Sequence, residues 1–183
     1  MKLVGKPSIS QIRSRGFTIV ELLVVIVVIG ILAAITIVAY SGIQNKASDS
    51  AVQADLSTIA KKMELYGVDN ARYPSSVAEL QTLGLKTSKS SYAISSAMKI
   101  NLGYCTKPDY SGYAVLAMSK SGKRYVLSSP GNVTAYVGAA TWDGTSNDSS
   151  LICPTVGYTI NFTHGYVASD LVTGPWRAWA GGN

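Results

Sequence analysis

The run RGFTIVELLVVIVVIGILAAITIVAY, residues 15–40, decides the fold. From Phe17 to Tyr40 it holds 24 residues and a single charge, Glu21. As an α-helix this run is about 36 Å long, enough to cross a bilayer. Its uncharged part, Leu22–Ala39, is 18 residues, longer than the core of an ordinary secretory signal. No small-residue cleavage site ends it, since Ala39-Tyr40-Ser41 is a poor match. Plain membrane anchoring explains everything except Glu21. A carboxylate among lipid tails costs a few kcal/mol, and a helix N-terminal dipole returns at most ~1 kcal/mol at an exposed site. Glu21 therefore calls for a cationic partner. Arg13 or Arg15 supplies one by snorkelling in the intact chain. A cut between Gly16 and Phe17 supplies another, because it creates an α-amino group at the head of the helix. Helices packed with an axial stagger then place one chain's Glu21 beside another chain's amine.

Charge gives the orientation. The chain of 183 residues carries a net +6, and Lys2, Lys6, Arg13 and Arg15 all precede Phe17. Without those four the balance is 12 basic to 10 acidic residues, or +2. The basic end stays in the cytoplasm and the remainder is exported. No cluster of Lys and Arg with interleaved aromatics occurs later in the chain, so charge supports no nucleic-acid site.

Residues from about 13 to 40 resemble the start of a type IV prepilin, the precursor of type IV pilins and pseudopilins. The resemblance rests on Gly16, Phe17 and Glu21, with Thr18, Leu22 and Gly30-Ile31-Leu32-Ala33-Ala34-Ile35. It implies cleavage by a prepilin peptidase between Gly16 and Phe17, and N-methylation of Phe17. It implies further partners: membrane lipid before assembly, a membrane-embedded assembly platform, and other pilin subunits in a homo-polymer or mixed filament. Glu21 then sets the assembly register. The filament ends as an extracellular pilus or a periplasmic pseudopilus. One departure is Val38, where many pilins carry Pro, so a kink there is not assumed. The alternative within the class is a type II secretion or competence pseudopilin. The alternative outside it is an uncut, single-pass, membrane-anchored binding module.

Helical periodicity continues beyond the apolar run. Val52, Leu56, Ile59, Met63 and Tyr66 are spaced 4, 3, 4 and 3, one face of an amphipathic helix. Lys61, Lys62 and Glu64 fall largely on the other side, and Gly67 with Asp69-Asn70 marks the end. The expectation is one helix from about Thr18 to Tyr66, against the alternative of two helices broken near Ser41-Gly42. Pro74 and Ser75-Ser76 start a short helix with Val77, Leu80 and Leu83 inward and Gly84 as its stop. Residues 86–91 read as a loop. Residues 112–118 and 123–128 read as a hairpin, with further strands at 93–95, 101–106, 134–137 and 158–162. The fold class is α+β: a long N-terminal helix packed on an antiparallel sheet. The division is a leader at 1–16, a membrane or filament-core helix at 17–40, its amphipathic continuation at 41–67 and a globular head at 68–183.

Cys105 and Cys153 form an even pair behind an export segment, which suggests a disulfide over two buried thiols. Asp143, Asn147 and Asp148 place oxygen ligands at roughly alternating positions, a weak calcium pattern without the closing Glu of an EF-hand. A solvated turn is the plainer reading. His164, the only histidine, reads as a turn residue beside Gly165. No catalytic constellation or cofactor motif stands out, so the expectation is a structural protein without cofactor. Trp176, Arg177 and Trp179 in the tail suit either an interface or a cap on the core.

Overall fold

Helix α1 runs unbroken from Ile19 to Asn70 in the computed structural model, which describes residues 16–93, 101–138, 149–158, 163–165 and 176–181. The helix passes through Gly30 and Gly42, where nothing lies near enough to crowd a side chain. The hydroxyls of Thr36 and Ser41 turn back onto the carbonyls of Ala33 and Val38, both at 2.9 Å. The helix also continues through Gly67, where an end was expected. A Cβ at Gly67 would lie 3.0 Å from the Tyr73 ring, so this glycine makes room for packing. Ala71, at a left-handed φ of 54°, stops the helix.

The chain divides into two compact units, residues 1–41 and 42–183. Within the first, every described residue is exposed. Within the second, α1 buries Val52, Leu56, Ile59 and Met63. Each contributes about 1.5–3 kcal/mol relative to an exposed side chain.

Among the described residues five antiparallel strands form the sheet of the second unit: β1 Leu102–Thr106, β2 Tyr113–Met118, β3 Arg124–Ser128, β4 Asn132–Ala135 and β5 Thr163–His164. Their order is β4-β3-β2-β1-β5. Register pairs Leu102 with Ala117, Tyr104 with Val115, and Val115 with Leu127. These residues share a cluster with the α1 stripe. Cys105, Ala114, Leu116 and Val126 point the other way and meet Ile152, Cys153 and Tyr158. Helix α2 spans Val77–Thr82, and Ile152 and Cys153 belong to helix α3, Ser149–Thr155. The central strands are therefore buried on both faces, with all six residues of β2 inside, while β4 at the edge is largely exposed. The second covering layer was not foreseen.

Boundaries shift in places. β4 begins at Asn132, two residues before the expected Thr134, because the β3–β4 turn is tight: Gly131 N–H donates to Ser128 O at 2.8 Å. Tyr158 is not in a strand, residues 159–162 lie outside the described set, and the last described strand is β5. His164 is thus a strand residue opposite Gly103, rather than a turn residue. Tyr92 bridges Ser119 and Ala93 N–H donates to Met118 O, while residues 94 and 95 lie outside the described set. The expected loop 86–91 contains a 3-10 turn, Lys89–Ser91, and Asp55 holds the preceding Ser88 through its N–H and hydroxyl.

In α2, Ser76 is the N-cap and its Oγ accepts from Glu79 N–H. Leu80 is buried and Leu83 half-buried, but Val77 is exposed. At 3.6 residues per turn, positions six apart stand about 120° apart, so Val77 turns away from the face that holds Leu80 and Leu83.

Candidate functional site

The site is built at the head of α1. Thr18 precedes the first helical residue and Glu21 sits three positions later. Thr18 Oγ1 accepts from Glu21 N–H at 3.2 Å. In return, Glu21 Oε2 accepts from the Thr18 N–H and from its hydroxyl, both at 2.8 Å. This is a reciprocal capping box, satisfying backbone donors that a helix start otherwise leaves open. Its signal, T-x-x-E ahead of an apolar run, stands at residues 18–21, although charge alone directs attention to arginines and a new amine. The structure thus brings Glu21 together with Thr18, while Arg13 and Arg15 lie outside the described residues. A Thr cap contributes about 0.5–2 kcal/mol. That is less than the few kcal/mol of burying a carboxylate in lipid, so the box eases the cost of Glu21 without cancelling it. Gly16 is in open surroundings and Phe17 is 82% exposed. Between Phe17 and Tyr40 the side chains are apolar or small, with Glu21, the two threonines and the Tyr40 hydroxyl as exceptions. By length and composition this helix is able to cross a membrane.

In the second unit, polar side chains of α1 hold the connecting loops. Asp49 is buried and takes an ion pair from Lys123 at 2.9 Å and a short hydrogen bond from Ser121. Burial alone would raise its pKa, but Ser121, Ser119 and Lys123 together hold it below the usual carboxylate value. Asp55 accepts from Ser88 N–H at 2.6 Å and from the Tyr92 hydroxyl at 3.2 Å. Lys62, placed on the solvent side by periodicity, reaches the carbonyls of Leu83 and Gly84 at 2.7 and 2.6 Å, just past the end of α2. Glu64, read the same way, accepts from Tyr73 and Tyr113 at 2.9 and 3.2 Å. Burial, then Glu64, pushes the Tyr73 phenol up to about 12. Arg72 and Glu79 form a two-pronged pair at 2.9 and 2.7 Å. That guanidinium, with the Ser75 N–H, holds the Glu79 carboxyl down at about 2.

Cys105 in β1 and Cys153 in α3 are joined, with a Cα–Cα distance of 5.9 Å and a sequence separation of 48. Closing such a loop contributes roughly 3–4 kcal/mol in the chain-entropy account. The tail packs into the core: Trp179 is fully buried, and Trp176 is 9% exposed with its ring edge-on to Tyr92 at 5.4 Å. Asp143, Asn147 and Asp148 lie outside the described residues. Among the described residues no group of three acidic, His or Cys side chains is placed to hold a metal.

Comparison with known proteins divides the chain in the same way. Residues 12–37 match the prokaryotic N-terminal methylation motif. Residues 39–155 match the model of protein G of the type II secretion system. The chain is 37% identical over 103 residues to the type IV wide pilus major component PilA4 of Thermus thermophilus, covering 56% of this chain and 79% of that protein. It is 39% identical over 71 residues to the type II secretion system core protein G of Klebsiella pneumoniae, covering 39% of this chain and 51% of that protein. The corresponding Escherichia coli protein is 34% identical over 71 residues, 49% of its length. The chain thus spans about half the length of these core protein G relatives. A methylation motif at the head of an apolar helix, and a secretion protein G match across residues 39–155, place the chain in the type IV pilin and pseudopilin family, the structural subunits of pili and pseudopili.

Proposed function

We propose that the chain is made as a membrane-held precursor, cut between Gly16 and Phe17 by a prepilin peptidase, methylated on the new Phe17 amine, and built into a filament through residues 17–40. The observation that carries this reading is the lone carboxylate of Glu21 one turn into an otherwise apolar, exposed helix, directly after Gly16-Phe17-Thr18. In the membrane the leader stays in the cytoplasm by its four positive charges and the head lies outside. A membrane-embedded platform then extracts subunits, and apolar helices exchange lipid for one another. Methylation leaves the amine able to carry a proton. Glu21 of one subunit, already oriented by Thr18, pairs with the Phe17 amine of a neighbour, and a subunit out of register leaves a charge unpaired in a dry core. The role is structural, in keeping with the relatives, and needs no cofactor.

Two locations divide the family. The Thermus relative, matched over 79% of its length, favours a surface pilus. The protein G match over residues 39–155 favours a periplasmic pseudopilus. The pilus is preferred because the relative it rests on is covered more fully than the core protein G relatives. A secretion defect without surface filaments in a deletion strain would reverse the choice. Mass spectrometry of the mature N-terminus tests the common core. A methylated Phe17 at the start is expected, whereas an intact leader supports the uncut anchored module. Glu21→Ala should be inserted and cut but assemble poorly; filaments of normal yield would remove the register role.

A further inference from the structure

Lys46 stands shortly after Tyr40, on the exported side of the apolar run, and no acidic residue falls between Glu21 and Asp49. A cation so close to the exported end of a membrane span runs against the bias that keeps such charges in the cytoplasm. Lys46 therefore calls for a reason. Within the second unit the fold gathers more cations beside it. Asp49 is one turn further along α1, where side chains are neighbours of Lys46, and it pairs with Lys123 at 2.9 Å. Lys120 belongs to the same β2–β3 turn. Its backbone N–H donates to Ser91 O at 2.8 Å, which brings the 3-10 turn and Lys89 to this end of the sheet. Lys46 and Lys120 are exposed, and the Lys123 side chain is 66% exposed even in its pair. The carboxylates among these cations are already engaged. Asp49 is buried and held by Lys123 and Ser121, and Asp55 accepts from Ser88 and Tyr92. The far end of the unit, around the contact of Tyr73 with Tyr110, has the reverse balance: Glu64, Asp69, Glu79 and Asp109 stand against Arg72 and Lys107.

We infer that this cationic end of the second unit docks on anionic phospholipid headgroups while the chain is held in the membrane; the inference rests on the proposed membrane-held precursor. Between Tyr40 and Lys46 the helix rises only about 9 Å, which keeps Lys46 close to the headgroup layer that borders the hydrocarbon. Lysines near a negatively charged bilayer are drawn to it, and the attraction fades within a Debye length of about 8–10 Å. Their ammonium groups are compact point charges with several donors for phosphate oxygens. A head with cations at one end and carboxylates at the other is turned by such a surface, cations first. The contact is electrostatic and reversible, so it orients the head before assembly and still lets the subunit be extracted.

Lysine acylation tests this on the full, uncut chain reconstituted into phosphatidylcholine vesicles with or without phosphatidylglycerol, using a membrane-impermeant reagent. In the anionic vesicles Lys46 and Lys120 should react roughly fivefold more slowly. Lys107, at the far end, should react at an unchanged rate, and high salt should erase the difference. Equal rates at Lys46 and Lys120 in both vesicles, or equal slowing at Lys107, overturn the inference. Protection by inorganic phosphate or a DNA duplex in the neutral vesicles, with none from phosphatidylglycerol, assigns the cations to a soluble anion and overturns it too. Lys120→Glu should reduce the slowing at Lys46 to about twofold or less, with the melting temperature of the head unchanged. Slowing kept in full in that variant overturns the shared surface. A chain that enters neither vesicle brings down the membrane-held precursor and the contact with it, whereas an inserted chain with unprotected lysines overturns the contact alone.

Discussion

Residues 19–40 and 49–66 belong to one helix, yet opposite physics holds them. The later stretch has one buried stripe, and its polar side chains Asp49, Asp55, Lys62 and Glu64 each secure a loop or strand of the same unit. The earlier stretch buries nothing within its own chain. Its polar organisation centres on the Thr18–Glu21 box at its head. The contrast teaches that a helix can be complete as secondary structure and incomplete as tertiary structure. One half finds its partners in its own fold, and the other requires lipid or neighbouring subunits to cover it.

The largest expected effect falls on the earlier half. Gly16→Val should leave the precursor uncut and abolish filaments, read as an unshifted mass on a denaturing gel and an intact leader by mass spectrometry. A mature Phe17 from that variant would break the assignment of the cut. Next come two truncations that set the halves against each other. Leu56→Ala should cost about 2–5 kcal/mol in denaturant unfolding of the head, because a fully buried side chain leaves a cavity. Leu32→Ala, on an exposed residue, should leave that transition where it is while weakening assembled filaments. Equal losses of head stability would end the distinction.

A smaller effect is expected at the cap. Thr18→Val removes both hydroxyl bonds of the box, costing about 1 kcal/mol of local helix stability. Amide exchange at Val20–Leu22 in micelles should speed by roughly fivefold, with exchange at Leu56 unchanged. The smallest effect is titration of the head. Glu79 has a folded pKa of about 2 against an ordinary 4.5. Its stabilising contribution is whole above pH 4.5 and is lost as pH falls toward 2. The denaturation midpoint should decline across that window, and Glu79→Gln should flatten part of the slope. A slope unchanged in Glu79→Gln would remove the Arg72 pair as its source.

Several differences between sequence expectation and structure have separate physical reasons. Periodicity assigns a face to each Cβ, but Lys62 and Glu64 have stems long enough to reach around the helix, and they serve the fold instead of solvent. Val77 fits the inward pattern of α2 and is nevertheless exposed, because a spacing of three residues drifts around the helix and carries it off the buried face. The Trp residues of the tail suit interface and core equally by composition. Only their contact with Tyr92 and the main cluster decides for the core. The Thr18–Glu21 box is legible in the sequence because it is local: both partners lie within four residues.

The sequence by itself determined the apolar segment, the single carboxylate in it and the long helix. Those are set by composition and by a period of 3.6 residues, which are local properties of a chain. Tertiary structure alone decided that both faces of the central strands are covered and that the tail tryptophans pack into the core. Those depend on contacts between residues far apart in sequence, and no local pattern encodes which distant surface will arrive to bury a given side chain.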